Sequence, residues 1–594
     1  MRTLTRVAVA AAAAALLAVP ARAQETQNSV QAAATEAALR LQVEQLEQQL
    51  AALKTPPTLA ALRDKLAAQE TAQQEQEARI EPLERKAALD RINFTGEIRI
   101  ASDTLNGTQA PYFDGLKLQK GIVDSMFFMM TNQGAFPTPA SADPSSIYAV
   151  LDNNVAAHYA DYLLFTSRLT FADLKAAMAQ FPAAQQAAMM QMLMPATLRA
   201  EQDYTNNILY TTRIRVNMKT DLAKGLSFSG RLAMYKAWGD SAGVQVFNGQ
   251  PTSINIDGTT IGVPNSDIVR VDRAYFDWNQ IGGTGLYLSV GRRPSTGGPP
   301  TEMREGRLRG GTPLGHVVDY QFDGVTVGYA FGDKMKNAIW RFCYGLGYES
   351  GFGSGDQLKA PGDRLKDVHF GGLNLDLYST DTTFVQATVL RAMRVTDGFN
   401  SLVVMPVDPV TGNAAPGPAV MRFTPSSNIG DIDLAALAIE RTEGPVKWFG
   451  SVAGMWSHPE DITTPFGGLL TDPFSVPESH DAWSVYTGLR YDFGQTQVGA
   501  EFNRGSRYWF NFTHAADEIL LSKLQTRGNV YEVYVNQQIG KYGQLRVSGL
   551  QYDYEYSGSG WHLGAPKRLD ETPMLGFPTY KDMFNLRVAF GVRF

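Results

Sequence analysis

A chain of 594 residues is too long for one ordinary soluble domain and suits a large sheet with an appendage. Its net charge of -6 gives no general case for nucleic-acid binding. Only 44% of residues are hydrophobic, and beyond the amino terminus no run of 18 apolar residues occurs, so no transmembrane helix is expected.

Met1 to Ala23 reads as a secretory signal peptide: Arg2 and Arg6 form the positive n-region, Val7 to Val19 the apolar core, and Ala21-Arg22-Ala23 a small-x-small cleavage site. A mature, exported chain is expected from about Gln24. Cys343 is the single cysteine, which excludes a disulfide framework and a Cys-rich metal site. The C-x-x-C-H haem motif is missing too, so no cofactor and no metal are expected.

Residues 24–90 turn to Ala, Gln, Glu and Leu. Leu39, Val43, Leu46, Leu50 and Leu53 trace an a/d heptad seam, which Pro56-Pro57 interrupts. Leu59, Leu62 and Leu66 restart it before Ile80 and Leu83, and Pro82 ends it. A helix of about 20 residues with one apolar seam is marginal alone. A periplasmic coiled coil joining copies of the chain through residues 39–83 is therefore expected, with a trimer among the open stoichiometries. A single helix on the barrel mouth is the alternative, and whether the arm grips peptidoglycan stays open.

From Ile92 the rhythm becomes two-residue. Phe94, Gly96, Ile98 and Ile100 alternate with Asn93, Thr95, Glu97 and Arg99. Further strands are predicted at 206–219 and from Leu226 to Met234, then in pairs at 269–280 with 284–293, 318–330 with 336–348, and 367–378 with 382–394. More pairs follow at 430–442 with 446–457, 482–493 with 495–506, and 527–540 with 543–556. The last strand, Met583 to Phe594, sets Phe584, Leu586, Val588, Phe590, Val592 and Phe594 against Asn585, Arg587, Ala589, Gly591 and Arg593. One face is greasy throughout and the other polar, small or cationic. The set makes an all-β transmembrane antiparallel barrel of about 16 strands over residues 91–594, after an α-helical coiled-coil segment. Alternate connections are tight and long, as periplasmic turns and external loops are. Trp238, Trp278, Trp340, Trp448, Trp456, Trp483 and Trp509 fall near strand ends, where aromatic girdles meet lipid headgroups.

Charge in hydrocarbon is costly, so the polar faces are assigned to the lumen. Arg99, Arg213, Arg215, Arg231, Arg273, Arg293, Arg341, Arg391, Arg490, Arg546 and Arg587 are expected there, with Glu97, Asp277, Asp323, Asp376, Glu440 and Glu501. They form either a neutralising salt-bridge lattice or a transverse field favouring anions. Residues 291–318 are rich in Gly and Pro and gather Arg292, Arg293, Arg304, Arg307 and Arg309 beside Glu302 and Glu305. This loop is either solvated outside or folded into the lumen as a constriction whose arginines offer bidentate donors. The insert at 103–205 carries Leu174, Met178, Phe181 and a patch at Met189, Met190, Met192 and Met194, expected as short helices packed together or over the mouth. Enzyme signatures of the G-x-S-x-G, H-E-x-x-H or P-loop type do not occur. The seven histidines are scattered.

Four segments are similar to a family of uncharacterised porin-like outer-membrane proteins of Gram-negative bacteria with an amino-terminal coiled coil: Tyr235 to Asp240, Asp272 to Trp278, Gly291 to Glu302 and Gly499 to Trp509. The layout also resembles siderophore-transporting porins. The resemblance implies a barrel in the outer membrane and carries no cargo. A passive channel for small hydrophilic solutes with mild anion preference is the leading expectation, without catalysis. A gated substrate-specific transporter and a sheath around a partner protein are the alternatives.

Overall fold

The computed structural model describes residues 92–594, apart from 170, 241–263, 265–266, 353–357, 360–361, 363–364, 399–400, 405–419, 424, 572 and 577, and also positions 41, 44 and 71. The chain divides into two compact units, Met1–Asp90 and Arg91–Phe594. In the first unit the three described positions are helical. The signal peptide and the coiled-coil seam lie outside the described residues.

The second unit is a closed antiparallel barrel. Its strands are β1 (Asn93–Gln109), β2 (Gln202–Ala223), β3 (Leu226–Ala237), β4 (Arg270–Trp278), β5 (Leu286–Arg292), β6 (Asp323–Gly332), β7 (Ala338–Tyr348) and β8 (Val368–Ser379). The ring continues through β9 (Thr383–Thr396), β10 (Asn428–Glu443), β11 (Val446–Pro459), β12 (Asp481–Phe493), β13 (Thr496–Gly505), β14 (Gly528–Ile539), β15 (Gly543–Tyr554) and β16 (Tyr580–Arg593). Each strand pairs with its sequence neighbours, and β1 closes on β16 with Ile98 opposite Val592. At the seam Gly96 and Phe594 exchange backbone hydrogen bonds of 2.7 and 3.0 Å. The phenyl ring lies where a Cβ on Gly96 would stand, 2.5 Å away, so glycine makes room for the terminal aromatic. A sealed ring leaves no unpaired edge, the condition for a sheet in hydrocarbon. Among the described residues no helix is long and apolar enough to cross a membrane.

The predicted strands and the observed ones coincide within a few residues, with three adjustments. Residues 318–322 belong to a loop, and β6 starts at Asp323. β1 and β2 run on to Gln109 and back from Gln202, so the insert proper is shorter than 103–205. Trp509 is fully buried inside the barrel rather than in a girdle.

Outward positions make a belt. Along β16, Phe584, Leu586, Val588 and Phe590 are exposed while Met583, Asn585, Arg587 and Ala589 are buried. Phe584 to Val592 at about 3.4 Å per residue and a tilt near 40° rise roughly 20 Å, close to the apolar band of such barrels. Phe342, Leu437, Val452, Leu489 and Val533 continue the belt around the ring. Exposed Tyr329, Trp340, Tyr491, Phe493 and Phe594 mark its short-turn edge, and Trp456, Trp483 and Tyr531 its long-loop edge.

At the long-loop end the β1–β2 connection folds into α1 (Gly115–Thr131), α2 (Ser146–Ala157), α3 (Tyr159–Arg168), α4 (Phe171–Gln180) and α5 (Ala183–Leu193). They pack on Leu118, Ile122, Ile147, Leu151, Leu174, Met189 and Leu193, with Met178, Phe181, Met190, Met192 and Met194 around them. The methionines are gap-fillers of this small core. The bundle bridges the ring. Gln119 donates to the Pro465 carbonyl at 2.6 Å, Lys175 to the Thr463 hydroxyl at 2.8 Å, and Phe171 meets Phe474, all in the β11–β12 loop. Tyr112–Asp114 also pairs with Met574–Gly576 of the β15–β16 loop.

Leu437 faces outward in mid-belt and is about half exposed. Leu437→Arg should destabilise the inserted barrel by about 2–4 kcal/mol, read from reversible urea unfolding in phospholipid vesicles. An unchanged unfolding midpoint would show that this face does not meet hydrocarbon.

A loop-filled lumen

The inner wall differs from side to side. On β9 to β12 it is apolar: Leu390, Ala392, Ile432, Leu434, Ala436, Ala438, Ala453, Met455 and Ala482 form one buried cluster. Loops 293–322 and 506–527 fold inward and cover it with Leu314, Val317, Val318, Trp509, Phe510 and Phe512. Fully burying each large apolar side chain is worth about 1.5–3 kcal/mol, enough to hold both loops inside. His316 sits between the Ser451 and Ser484 hydroxyls at 2.8 and 2.9 Å. Burial pushes it down to about 3, so it stays neutral at physiological pH and acts as a peg.

Loop 293–322 doubles back on itself. Gly310 and Gly311 donate to the Gly297 carbonyl at 2.9 and 2.8 Å, Thr312 to Pro294 at 3.0 Å, and Gly315 to Pro299 at 2.8 Å. A Cβ on Gly298 would stand 1.9 Å from the Pro313 carbonyl oxygen, so only glycine permits this approach. The tip, residues 303–309, then crosses the lumen as a strap. Arg490 of β12 donates to the Met303 carbonyl, and Arg546 of β15 to that of Arg304. Arg304 itself pairs with Glu518, and more distantly with Glu532 of β14 at 3.5 Å. Arg307 reaches Glu97 on β1 at 3.1 Å, while Arg309 reaches Asp376 on β8 at 3.3 Å. Since β8 lies seven strands from β1 in a sixteen-strand ring, next to the strand opposite β1, the strap spans nearly its full width. Gly306 and Leu308 between the anchors are exposed, Leu308 at 93%.

Opposite the apolar wall the lumen is ionic. Arg99 and Arg213 both bind Asp517, and Arg213 and Arg215 share Glu97 at 2.8 and 3.1 Å. Arg231 pairs with Asp272, which also accepts from Gln321, and Arg587 pairs with Asp103 at 2.8 Å. Arg273 donates to the carbonyls of Gly310 and Thr296 at 2.8 Å, fastening the strap's return limb to β4. Asp277 lies in register with Ser227 and Ser289, near the short-turn end of the same lumen face. Lys523 is buried between Glu501 and Glu532.

These placements sort the sequence candidates. Arg304, Arg307 and Arg309 are on the strap, and Glu302 is at its root. Arg293 is buried beside the wall and donates to the Ser289 carbonyl at 3.4 Å, so it anchors the loop's base. Arg292 is not in the lumen: it pairs with Asp323 at 3.0 Å on the outer face, continuing the outward alternation of Val290. Asp323 and Arg391 likewise point outward, Arg391 onto Asp431 at 2.9 Å. All three lie at the long-loop ends of their strands, where charge meets headgroups and its cost falls toward zero. Asp272, Asp319, Asp517, Glu518 and Lys523 were not anticipated. Asp272 is the extra residue of a bulge, since Arg231 opposes Arg273 while Leu232 opposes Val271.

A cavity of about 50 Å³ remains beside the strap, lined by Glu97, Arg99, Arg307, Asp517, Glu518 and Arg587 among others.

A family model described as a protein of unknown function (DUF3373) matches residues 203–594. The chain belongs to that family. The match takes in β3 through β16 and both inward loops. No curated protein matches. Among solved structures, the chain is similar to OmpT, an outer membrane protein of Vibrio cholerae in trimer form, at 10% identity and a TM-score of 0.35, covering 85% of this chain and 99% of that one. It is similar also to a mutant of the Rh. blastica porin at 14% identity and a TM-score of 0.30, covering 66% of this chain and 92% of that one.

Two carboxyls of loop 293–322 are pushed toward the protonated form by burial. Burial, with the Glu440 carboxyl beside it, raises Glu302 well above its ordinary 4.5, and burial raises Asp319 to about 7. Each group binds its proton more tightly in the seated loop than in the unfolded chain. The stability it contributes is complete below its ordinary value and is lost as pH rises through the raised one. Thermal unfolding in detergent, followed by near-UV circular dichroism, should therefore show Tm falling as pH rises from about 5 to 8. Glu302→Gln should flatten the upper part of that fall. Parallel curves for the two proteins would count against the seated carboxyl.

Proposed function

We propose that this chain is a solute-selective channel of the Gram-negative outer membrane, with its short turns in the periplasm and its long loops outside. The signal-peptide pattern read in the sequence, the apolar belt with its two aromatic edges, and the sorting of short and long connections support that placement. The strap carries the reading of selectivity. A segment tied to β1, β4, β8, β12 and β15 crosses the bore and presents Arg307 and Arg309 next to its exposed middle. Any solute passing the bore meets those guanidiniums, which favour small anions. We read the protein as a conduit without catalysis, since its buried ionic groups are engaged in fastening loops to the wall. The helical insert over the mouth and the two inward loops favour a gated conduit over an open diffusion pore.

Planar-bilayer recording tests this. The intact chain should conduct in small or infrequent steps, with a reversal potential in a KCl gradient on the anion-selective side. A variant with residues 303–309 replaced by a short Gly/Ser link should conduct in larger steps and lose most of that selectivity. Silence from both proteins after verified insertion would refute the channel.

A further inference from the structure

Loop 506–527 delivers Asp517 to arginines of three neighbouring strands, its carboxylate to two of them and its backbone carbonyl to the third. Arg99 on β1 grips both its oxygens, Nη2 to Oδ1 at 2.9 Å and Nη1 to Oδ2, and Arg213 on β2 takes Oδ2 as well. From β16, Arg587 donates to the Asp517 backbone carbonyl at 3.1 Å. Such a two-pronged grip is what a planar guanidinium offers any carboxylate, whether it belongs to the chain or to a solute. Donors here exceed what Asp517 uses. The Nε of Arg99 and the Nη2 of Arg587 are buried with no partner, and both residues are only 7% exposed. Both line the 50 Å³ cavity, as does Asp517 itself. Unpartnered buried donors are expensive, so they mark places where an acceptor belongs.

We propose that Arg99, Arg213 and Arg587 form a binding station for carboxylate-bearing solutes, and that Asp517 is the chain's own stand-in, exchanged for the solute's carboxylate during passage. The station rests on the channel reading and names its cargo class. A solute carboxylate arriving in the cavity competes for the fork that Asp517 occupies, and the spare donors of Arg99 and Arg587 add to the grip on it once Asp517 moves aside. Release of Asp517 loosens loop 506–527, whose Glu518 is also the partner of Arg304 on the strap. Entry of the solute and relaxation of the constriction are thereby one event.

The probe is acetate, the group that Asp517 presents. It is compared with chloride at equal ionic strength and with neutral acetamide, using the full chain in planar bilayers at pH 7. Acetate should raise the open probability of the wild type saturably, by about tenfold, the effect of losing one charge-assisted contact. Chloride and acetamide should not. Asp517→Asn should open without acetate and be indifferent to it. Arg99→Lys keeps the charge but loses the fork, and should raise the half-saturating acetate concentration by about tenfold. This variant also covers the case in which the Asp517 variant does not insert. A wild-type channel that answers acetate and chloride alike overturns the carboxylate station while leaving a gated channel standing. Absence of current from every protein, the strap-replaced variant included, would instead remove the channel reading beneath it.

Discussion

A barrel whose lumen held only water would have no reason to carry an apolar inner wall. Here β9 to β12 present Leu390, Ile432, Leu434 and Met455 inward, all nine-tenths buried or more. That wall must be covered by protein, and the chain covers it with two of its own connections. Everything in the bore follows from this requirement. Trp509, Phe510 and Phe512 come from one loop, Leu314, Val317 and Val318 from the other, and the two pair with each other on the way. Asp319 donates its backbone N–H to Phe512 at 2.7 Å, and Phe512 donates to Val317 at 3.1 Å. The loops behave as a single inserted layer.

The opposite wall works by charge. Inward arginines from β1, β2, β3 and β16 outnumber the carboxylates on the same strands, so Asp517 of loop 506–527 and Asp272 of β4 supply balance to them. Removing one partner of a buried pair costs about 3–5 kcal/mol, because the other is left desolvated and unpaired. The lattice therefore resists piecemeal change. An apolar grip on one side and an ionic grip on the other hold the loop that carries the strap, which explains how a segment with Gly306 and exposed Leu308 in its span keeps a fixed course across open space. The seat adds a proton-dependent element, since burial in the packed loop favours the protonated forms of Glu302 and Asp319.

The strands were legible because each carries a strict two-residue rhythm over a length that spans the belt, and tight turns such as Gly444-Pro445 mark their ends. Facing was less secure. Arg391 and Asp323 are expected inward on the premise that charge avoids lipid, and Arg292 is expected in the loop that follows its strand, yet at the rim that premise no longer discriminates. The bulge at Asp272 hides a lumen carboxylate, because two adjacent residues turn to one side and alternation cannot register it. Asp517 and Glu518 lie in a loop with no period at all. Two signals did point to them. One was the excess of inward arginines, which called for acids from elsewhere. The other was the run Leu434 to Ile439, apolar on both faces, as a strand reads when it is covered on both sides.

Coupling between the two loops decides how such a bore could widen. Were the strap an independent lid, breaking Arg307–Glu97 and Arg309–Asp376 would free it, and both pairs are only partly buried. The deeper contacts forbid that. Arg304 ties the strap to Glu518 of the second loop, and the backbone pairing of residues 317–319 with 512–515 ties their roots. Expelling the whole layer would expose the apolar wall of β9 to β12, at roughly 25 cal/mol for each Å² returned to water. Local exchange on the ionic side exposes no such surface. Widening is therefore cheapest where charge, not hydrocarbon, holds the layer, beside β1, β2 and β16.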